Sequence, residues 1–126
     1  MEKVLKTNSG KEVKLASSGA FLYIYHNQFK EDPFEKLFAM VEDINAYNKS
    51  VLDNPDEERN NLEIMKHIDI LFLSNLTWAM AKNANGTIDG PIEFYQANPD
   101  FLPLDHVEEV IELAMNSLVS SEQVKN

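Results

Sequence analysis

Few side chains of this 126-residue chain have types and spacings that could carry out chemistry. The chain contains three histidines, His26, His67 and His106, and no cysteine. A zinc site needs closely spaced histidine or cysteine ligands, and none of the three histidines has another such residue three or four positions away. We therefore expect no metal site and no cofactor, and we predict that each histidine is exposed or half-buried.

Acidic residues are the other candidates for catalysis. They form adjacent pairs at Glu42-Asp43, Glu57-Glu58 and Glu108-Glu109. Acid–base catalysis needs carboxylates in a cleft with separated pKa values, whereas adjacent residues on a helix point roughly 100° apart. Asp69 lies inside an apolar stretch and has two interpretations: a buried or proton-transferring acid, or an acid at the edge of the stripe that pairs with Lys66. We assign no catalytic residue and expect no enzyme activity.

The charge of the chain narrows the choice of partners. Its 11 basic and 21 acidic residues give a net charge of −10, spread as +2 over residues 1–17, −5 over 18–85 and −7 over 86–126. Arg59 is the only arginine, and an acidic surface repels phosphate backbones, so we expect no nucleic-acid partner. The acidic surface either attracts a basic protein or serves solubility alone.

The sequence has no cysteine, no apolar signal-peptide core and no stretch that could span a membrane, and these features lead to a predicted cellular location. Absence of cysteine fits a reducing compartment. The first residues, Met1–Lys6, have no apolar signal-peptide core, and Asp69, Ser74 and Lys82 interrupt the longest apolar stretch before it could span a bilayer. We expect a cytoplasmic protein with no membrane partner.

Residues 1–17 are predicted to form a β-hairpin. The strands Val4–Thr7 and Glu12–Leu15 flank a turn in which Gly10 can adopt the left-handed conformation. Val13 and Leu15 share one face because side chains alternate along a strand. A lone hairpin is marginally stable in water, so this face is expected to dock on helices or on another subunit.

Residues 18–119 are predicted to form a helical body. A first helix is predicted after Ser18-Gly19, because the apolar residues that follow recur at helical spacing. A second helix is predicted to begin at Asp32-Pro33 and to end near Tyr47, before a loop over Lys49–Asn61. A central helix is predicted over Leu62–Ala84, because this segment is apolar on more than one face.

The central helix is predicted to stop at a left-handed Asn85-Gly86. After it we expect a short helix at Pro91–Ala97 and an amphipathic last helix that begins at a capping box, Asp105–Glu108, and ends near Leu118. Residues 120–126 are predicted to fray. The predicted fold class is α+β, mainly α, in a single domain over residues 1–126, with an N-terminal β-hairpin followed by a bundle of about four to five helices.

The apolar residues divide into two predicted groups. The core group, placed by helical spacing, is Phe29, Phe38, Ile68, Phe72, Leu76 and Trp78. The second group is predicted to contact other proteins, because so small a bundle cannot hide every apolar face of its helices and hairpin. It consists of Phe21, Tyr23, Ile24, Val13 and Leu15.

Several segments carry a resemblance to a known family. The succession Gly10–Leu15, the block Trp78–Ala84, the aromatic segment Ile92–Tyr95 and the approach Phe101–Leu104 to the last helix resemble tail assembly chaperones of long-tailed phages and prophages of Gram-positive bacteria. The resemblance spans residues 3 to 118, and its most specific part is Trp-Ala-Met-Ala-Lys. One departure is Lys30, which follows Phe29 where related chains often have glycine.

This resemblance implies a non-enzymatic, mainly helical protein that coats the tape measure protein while the tail is built and then leaves the particle. The implied partners are the tape measure protein and further copies of the chain, with the tail tube protein as a secondary partner. The family carries no catalytic or cofactor residues to transfer, and its members often have a second form extended by ribosomal frameshifting. The protein is therefore expected in the host cytoplasm and not in the mature virion.

Two other classes of function remain open. One is an acidic phage-encoded interaction protein that acts as a decoy or inhibitor of a host protein, which would need carboxylates spaced along one surface like phosphates. The other is a small enzyme, which would need a group of catalytic residues that the sequence does not reveal. A very long tape measure gene immediately downstream would favour the chaperone.

Overall fold

A computed structural model describes residues 1–53 and 65–118. At its start, β1 (Glu2–Lys6) pairs antiparallel with β2 (Glu12–Ala16), as predicted, with Leu5 opposite Val13. Gly10 has a φ of 88°, the left-handed conformation that the turn requires. Because side chains alternate along each strand, Leu5, Val13 and Leu15 lie on one face, and this face is buried.

Two helices follow the hairpin. Helix α1 (Gly19–Phe29) begins where the Ser18 hydroxyl accepts a hydrogen bond from the N–H of Ala20, and it ends at Lys30, whose φ of 58° is left-handed. Helix α2 (Phe34–Asp53) begins where the carboxylate of Asp32 accepts the N–H of Phe34 at 2.8 Å.

The end of α2 differs from the prediction. The helix does not fade near Tyr47 but continues to Asp53, so the predicted loop from Lys49 is wrong over its first five residues. No glycine or proline interrupts residues 34–53, and the polar residues after Tyr47 are compatible with an exposed helix. The rest of that predicted loop, residues 54–61, lies outside the described residues.

The central helix is shorter than predicted. Helix α3 spans Ile70–Ala84, and Asp69 is its N-cap, with a carboxylate that accepts the N–H of Phe72 at 3.0 Å. Asp69 is therefore neither a buried acid nor an interruption within a helix, and the prediction of one helix from Leu62 is wrong. The sequence did not reveal this start, because the helical periodicity of apolar residues does not distinguish a polar N-cap from a polar residue within a helix. Residues 62–64 lie outside the described part of the chain.

Three short elements complete the described chain. Helix α4 (Pro91–Ala97) matches its prediction, and a 3₁₀ turn (Pro103–His106) leads directly into helix α5 (Val107–Met115). The capping box predicted at Asp105–Glu108 does not form: His106 occupies the N-cap without a side-chain bond, because the turn before it already continues into the helix. The predicted fraying of residues 120–126 lies outside the described residues.

Helix α3 is the central element of the fold. It packs against β2, α1, α4, the 3₁₀ turn and α5. Eight of its fifteen residues are buried, including the run from Leu76 to Ala81. The fold class is therefore α+β, mainly α, with a hairpin and helices arranged around one apolar helix.

The C-terminal end of α3 is stabilised by hydrogen bonds and not by a residue in the left-handed conformation. Asn85 is extended, with φ −143° and ψ 99°, so the predicted left-handed stop at Asn85-Gly86 is wrong although the boundary is correct. The ammonium group of Lys82 instead donates to the carbonyl oxygens of Gly86 and Ile88, which holds the loop against the helix. In the described part of the chain, no helix is long and apolar enough to cross a bilayer.

Candidate protein-interaction surface

Three of the residues predicted to contact other proteins are buried inside this chain. Val13, Leu15 and Phe21 belong to the hydrophobic core, so their prediction as an interaction surface is wrong. The physical reason is that β2 and α1 both pack on α3, which covers the apolar face of each. The sequence could not show this, because it does not say which face of a hairpin or helix a distant helix will cover.

The other two predicted contact residues have different surroundings. Tyr23 is 74% exposed and points away from the core side of α1. Ile24 is partly buried and packs against the core. Tyr23 therefore remains available to a partner, and Ile24 contributes to both the core and its edge.

Most of the predicted core residues lie in the core. Ile68, Phe72, Leu76 and Trp78 are buried, and Phe29 lies at the edge with its ring 5.6 Å from that of Trp78. Phe38 is 46% exposed, so its assignment to the core is wrong.

The core side of α2 is formed by Leu37 and Met40, with Val41 and Ile44 partly buried beside them. Leu37 and Met40 face the core, and this turns Phe38 outward, where it stacks on Phe34 with ring centroids 6.1 Å apart. Helical spacing does not distinguish a residue at the centre of a buried stripe from one at its edge, such as Phe38.

The described residues that were considered as metal ligands or catalytic groups do not lie together in one site. His26 is exposed, while His67 and His106 are half-buried against the rings of Tyr47 and Phe101. No three histidine or acidic side chains in the described residues lie close enough together to hold a metal ion. The pair Glu42-Asp43 is exposed on α2, Glu108-Glu109 lies at the start of α5, and Glu57-Glu58 falls outside the described residues.

An open apolar groove lies between the start of α3 and the chain that follows α4. We call this surface the α3–α4 groove. Its main depression has a volume of about 670 Å³. Apolar side chains dominate its lining, which includes Met65, Ile70, Tyr95, Leu102, Leu104 and Val107.

A second depression extends the α3–α4 groove. It has a volume of about 410 Å³, and Leu71 and Ile92 line it. Ser74 and Tyr95 line both depressions, so they form the boundary between the two. The groove is thus a continuous surface with a low ridge across it.

The ridge is fixed by a hydrogen bond. The hydroxyl of Tyr95 donates to the carbonyl oxygen of Ser74 at 2.6 Å, which ties α4 to α3. Burial raises the pKa of the Tyr95 phenol, so the hydroxyl keeps its proton and stays a donor throughout the physiological range. The ring of Tyr95 also packs edge-on against Phe94, with centroids 5.0 Å apart.

Exposed apolar side chains are concentrated at the α3–α4 groove. Ten large hydrophobic residues of the described chain are exposed, and five of them line the two depressions: Met65, Ile70, Leu71, Ile92 and Leu102. Leu71 and Ile92 are 71% and 70% exposed. Exposed apolar patches can mark protein or membrane interaction sites or ligand-binding grooves.

One charged residue, Asp105, lies in the lining of the α3–α4 groove. Most of the residues that line the main depression come from residues 86–118. This segment carries seven carboxylates and no lysine or arginine. Asp105 lies in the lining itself, and Glu108 and Glu109 follow in the first turn of α5. Other carboxylates of the segment lie at other surfaces, since Asp89 and Glu93 line a depression beside the hairpin and Glu108 lines one against α2, so the groove itself is mainly apolar.

Comparisons with protein-family models, with curated proteins and with solved structures find no match to this chain.

Proposed function

We propose that this protein is a tail assembly chaperone of a long-tailed phage or prophage of Gram-positive bacteria. It binds the tape measure protein and keeps it soluble during tail building, and it catalyses no reaction. The observation that carries the proposal is the composition of the α3–α4 groove. Two of the segments that resemble the family, Ile92–Tyr95 and Phe101–Leu104, contribute its walls.

The apolar groove and the negative net charge of the chain both suit this role. Tape measure proteins are long and helical, and a helix binds by placing its apolar face into a hydrophobic groove. A chain with a net charge of −10 keeps such a complex dispersed, because like-charged complexes repel one another. The apolar floor would cover client surface that otherwise aggregates, and the acidic exterior would face water.

The proposal includes further partners and a location. The protein acts in the host cytoplasm, associates with copies of itself through its exposed surface and leaves the tail before the virion is complete. The tail tube protein is a secondary partner. These features follow from the family resemblance.

Co-expression with the tape measure protein encoded beside it tests the function. We expect the tape measure protein to be soluble and to co-purify with this chain, and to be insoluble when it is expressed alone. A tape measure protein that is fully soluble without this chain would overturn the proposal. Purification with a basic host protein in its place would favour the decoy function.

A further inference from the structure

We infer that the outer edge of β1 pairs with the same edge of a second copy of this chain, antiparallel about a twofold axis at Val4. The association of copies rests on the proposed function, whereas the surface that joins them rests on the hairpin. Three observations carry this inference: the direction of the free backbone groups of β1, the side chains on its exposed face and the cover over the outer edge of β2.

The backbone of β1 has free hydrogen-bonding groups along its outer edge. The N–H of Ser17 donates to the carbonyl oxygen of Met1 at 2.8 Å, and the N-terminal ammonium of Met1 donates back at 3.1 Å. Because hydrogen-bonded and non-hydrogen-bonded pairs alternate in an antiparallel ladder, Glu2, Val4 and Lys6 direct their N–H and C=O groups away from β2. In the described part of the chain no hydrogen bond reaches these outward groups. The edge is therefore open to another strand.

The exposed face of β1 is complementary to itself. Glu2, Val4 and Lys6 lie on this face, because side chains alternate along the strand and Leu5 is buried on the other face. When two copies pair antiparallel with Val4 opposite Val4, Glu2 of each copy lies opposite Lys6 of the other, and opposite charges in such positions attract. The two valines, each 48% exposed in the single chain, cover one another at the centre. The same strand from a second copy thus supplies the matching side chain at every outward position.

The charges of β1 select one arrangement of the two strands. A shift of two residues in one direction would place Lys3 opposite Lys3, and the opposite shift would move Glu2 past the end of the other strand. A parallel pair in register would place each charged residue beside its own copy, where like charges repel. A shift of one residue would set outward backbone groups against inward ones, so the ladder could not form. The antiparallel pair centred on Val4 is therefore favoured.

The outer edge of β2 is less accessible than that of β1. The carbonyl oxygen of Ala16 already accepts the side-chain amide of Asn83 at 3.0 Å, and helix α3 packs on β2. Lys11 and Lys14 line a depression against the loop after α3 and against α4. The hairpin therefore offers one open edge, that of β1.

An ion pair within the chain is compatible with the dimer. The ammonium group of Lys14 lies 3.2 Å from a carboxylate oxygen of Glu2, and both side chains are more than half exposed. A carboxylate has two oxygens and accepts more than one donor. Glu2 can therefore keep Lys14 and also receive Lys6 of the second copy.

Sedimentation of the full chain tests the inference. One short strand from each copy makes a small interface, so the dimer should form as the concentration rises from about 1 µM to about 1 mM. Val4→Pro removes the N–H at the twofold axis from both copies and should weaken association at least about tenfold. Proline is tolerated where a strand N–H faces solvent, so the bonds to β2 remain. Val4→Thr keeps the N–H and the branched shape and should associate as the parent does, and circular dichroism checks that each variant is folded.

Exchange of the two charges tests the register. Glu2→Lys alone would place lysine opposite lysine at both ends of the paired strands, and Lys6→Glu alone would place glutamate opposite glutamate. Each variant should associate at least about tenfold more weakly than the parent. An equimolar mixture of the two restores opposite charges at both ends and should form a heterodimer about as well as the parent forms its dimer. Leu52→Glu, which adds a charge at a residue of α2 that is 80% exposed, should associate as the parent does.

Amide exchange in the unmodified protein gives a measurement that does not depend on the variants. The amide of Val4 faces solvent in the single chain and is bonded in the dimer, so its exchange should slow at least about tenfold between dilute and concentrated samples. The amide of Leu5, which pairs with Val13 on β2, should be protected in both. A protein that stays monomeric up to about 1 mM would overturn the inference. So would association that leaves the exchange of Val4 unchanged, or a mixture of the charge variants that associates no better than either alone.

The edge dimer is separable from the other proposed contacts. Tyr23 lies on α1, where a contact would join edge dimers to one another, so Tyr23→Glu should keep the dimer. If the chain is monomeric but still solubilises the tape measure protein, the inference fails and the chaperone function stands. If the edge dimer forms but the tape measure protein is soluble without this chain, the chaperone function fails and the inference stands.

Discussion

At the scale of single residues, Trp78 links the core to the loop after α3. Its ring lies edge-on to Phe29, with centroids 5.6 Å apart, and its indole N–H donates to the carbonyl oxygen of Asp89 at 2.8 Å. Removing the ring leaves a cavity and also leaves that carbonyl without its donor. Both effects weaken the folded state.

We expect Trp78→Ala to lower the free energy of unfolding by about 3–5 kcal/mol, the usual range for an aromatic residue in a core. Urea denaturation followed by circular dichroism measures this loss. Trp78→Phe should lose less, because it keeps a ring against Phe29. A loss below about 1 kcal/mol for Trp78→Ala, together with the emission of a water-exposed indole in the parent, would contradict the assignment of this side chain to the core.

Asp100 fixes the hairpin turn to the rest of the molecule. Its carboxylate accepts the backbone N–H of Ser9 at 3.0 Å. Hydrogen bonding by the Ser9 side chain, and then by that of Thr7, lowers the pKa of Asp100 to about 2 from an ordinary value of 3.8. The carboxylate form is thus favoured in the folded protein, and the link is strongest when Asp100 is ionised.

This lowered pKa predicts how stability depends on pH. A group whose pKa is depressed by folding stabilises the protein fully above its unfolded pKa, and that stabilisation is lost as the pH falls through the folded value. We expect the melting temperature of the parent to exceed that of Asp100→Asn above about pH 4, and the difference to vanish toward about pH 2. A difference that is constant over this range would show that Asp100 does not act through its charge.

At the scale of elements, the end of α1 stores backbone strain. Lys30 ends the helix in a left-handed conformation, with φ 58°, and its N–H donates to the carbonyl oxygen of His26 at 2.8 Å. Left-handed backbone costs an ordinary residue roughly 1–2 kcal/mol, and glycine adopts it freely.

We expect Lys30→Gly to raise the free energy of unfolding by roughly 0.5–1 kcal/mol, since relief of strain exceeds the extra entropy that glycine has in the unfolded chain. Thermal and urea denaturation measure the gain. Lys30→Ala is the control: it removes the side chain but keeps the strain, so it should not stabilise. Equal effects of the two substitutions would indicate that the side chain, and not the backbone, determines the result.

The elements also show what sequence can predict. The hairpin and α4 were predictable because their signals are local: a glycine turn between alternating strands, and a proline at the first position of a short helix. The start of α3 was not predicted, although its sequence also contains a local signal. Asp69 is preceded by buried Ile68 and followed four positions later by buried Leu73, the arrangement of a hydrophobic staple around an N-cap.

The α3–α4 groove could not be predicted at all. Its sides come from segments that are distant in sequence, and their apolar residues resemble core residues until the packing is known. Val13, Leu15 and Phe21 were misassigned for the complementary reason, because a distant helix covers them. Local patterns predict elements, whereas exposure of an apolar face depends on tertiary packing.

At the scale of the whole molecule, the exposed surface of α1 is separate from the α3–α4 groove, so the proposed self-association can be tested by itself. Tyr23 is exposed on α1, a different element from those that line the groove. We expect Tyr23→Glu to lower the mass of the self-associated protein in sedimentation experiments while the helical circular dichroism is kept. Leu52→Glu is the matched control and should keep the parent's mass. If both variants sediment as the parent does, α1 is not the surface that joins copies.

The docking of the hairpin on α3 has a consequence for synthesis. The buried strand face ends at Ala16, and the helix that covers it ends at Ala84. At about 5–20 residues per second, the ribosome needs roughly 3–14 seconds to make the chain between these two points. During that interval Val13 and Leu15 have no native cover. The hairpin is synthesised first, but its apolar face is buried late. The nascent chain therefore carries an exposed apolar strand until its own central helix has been synthesised.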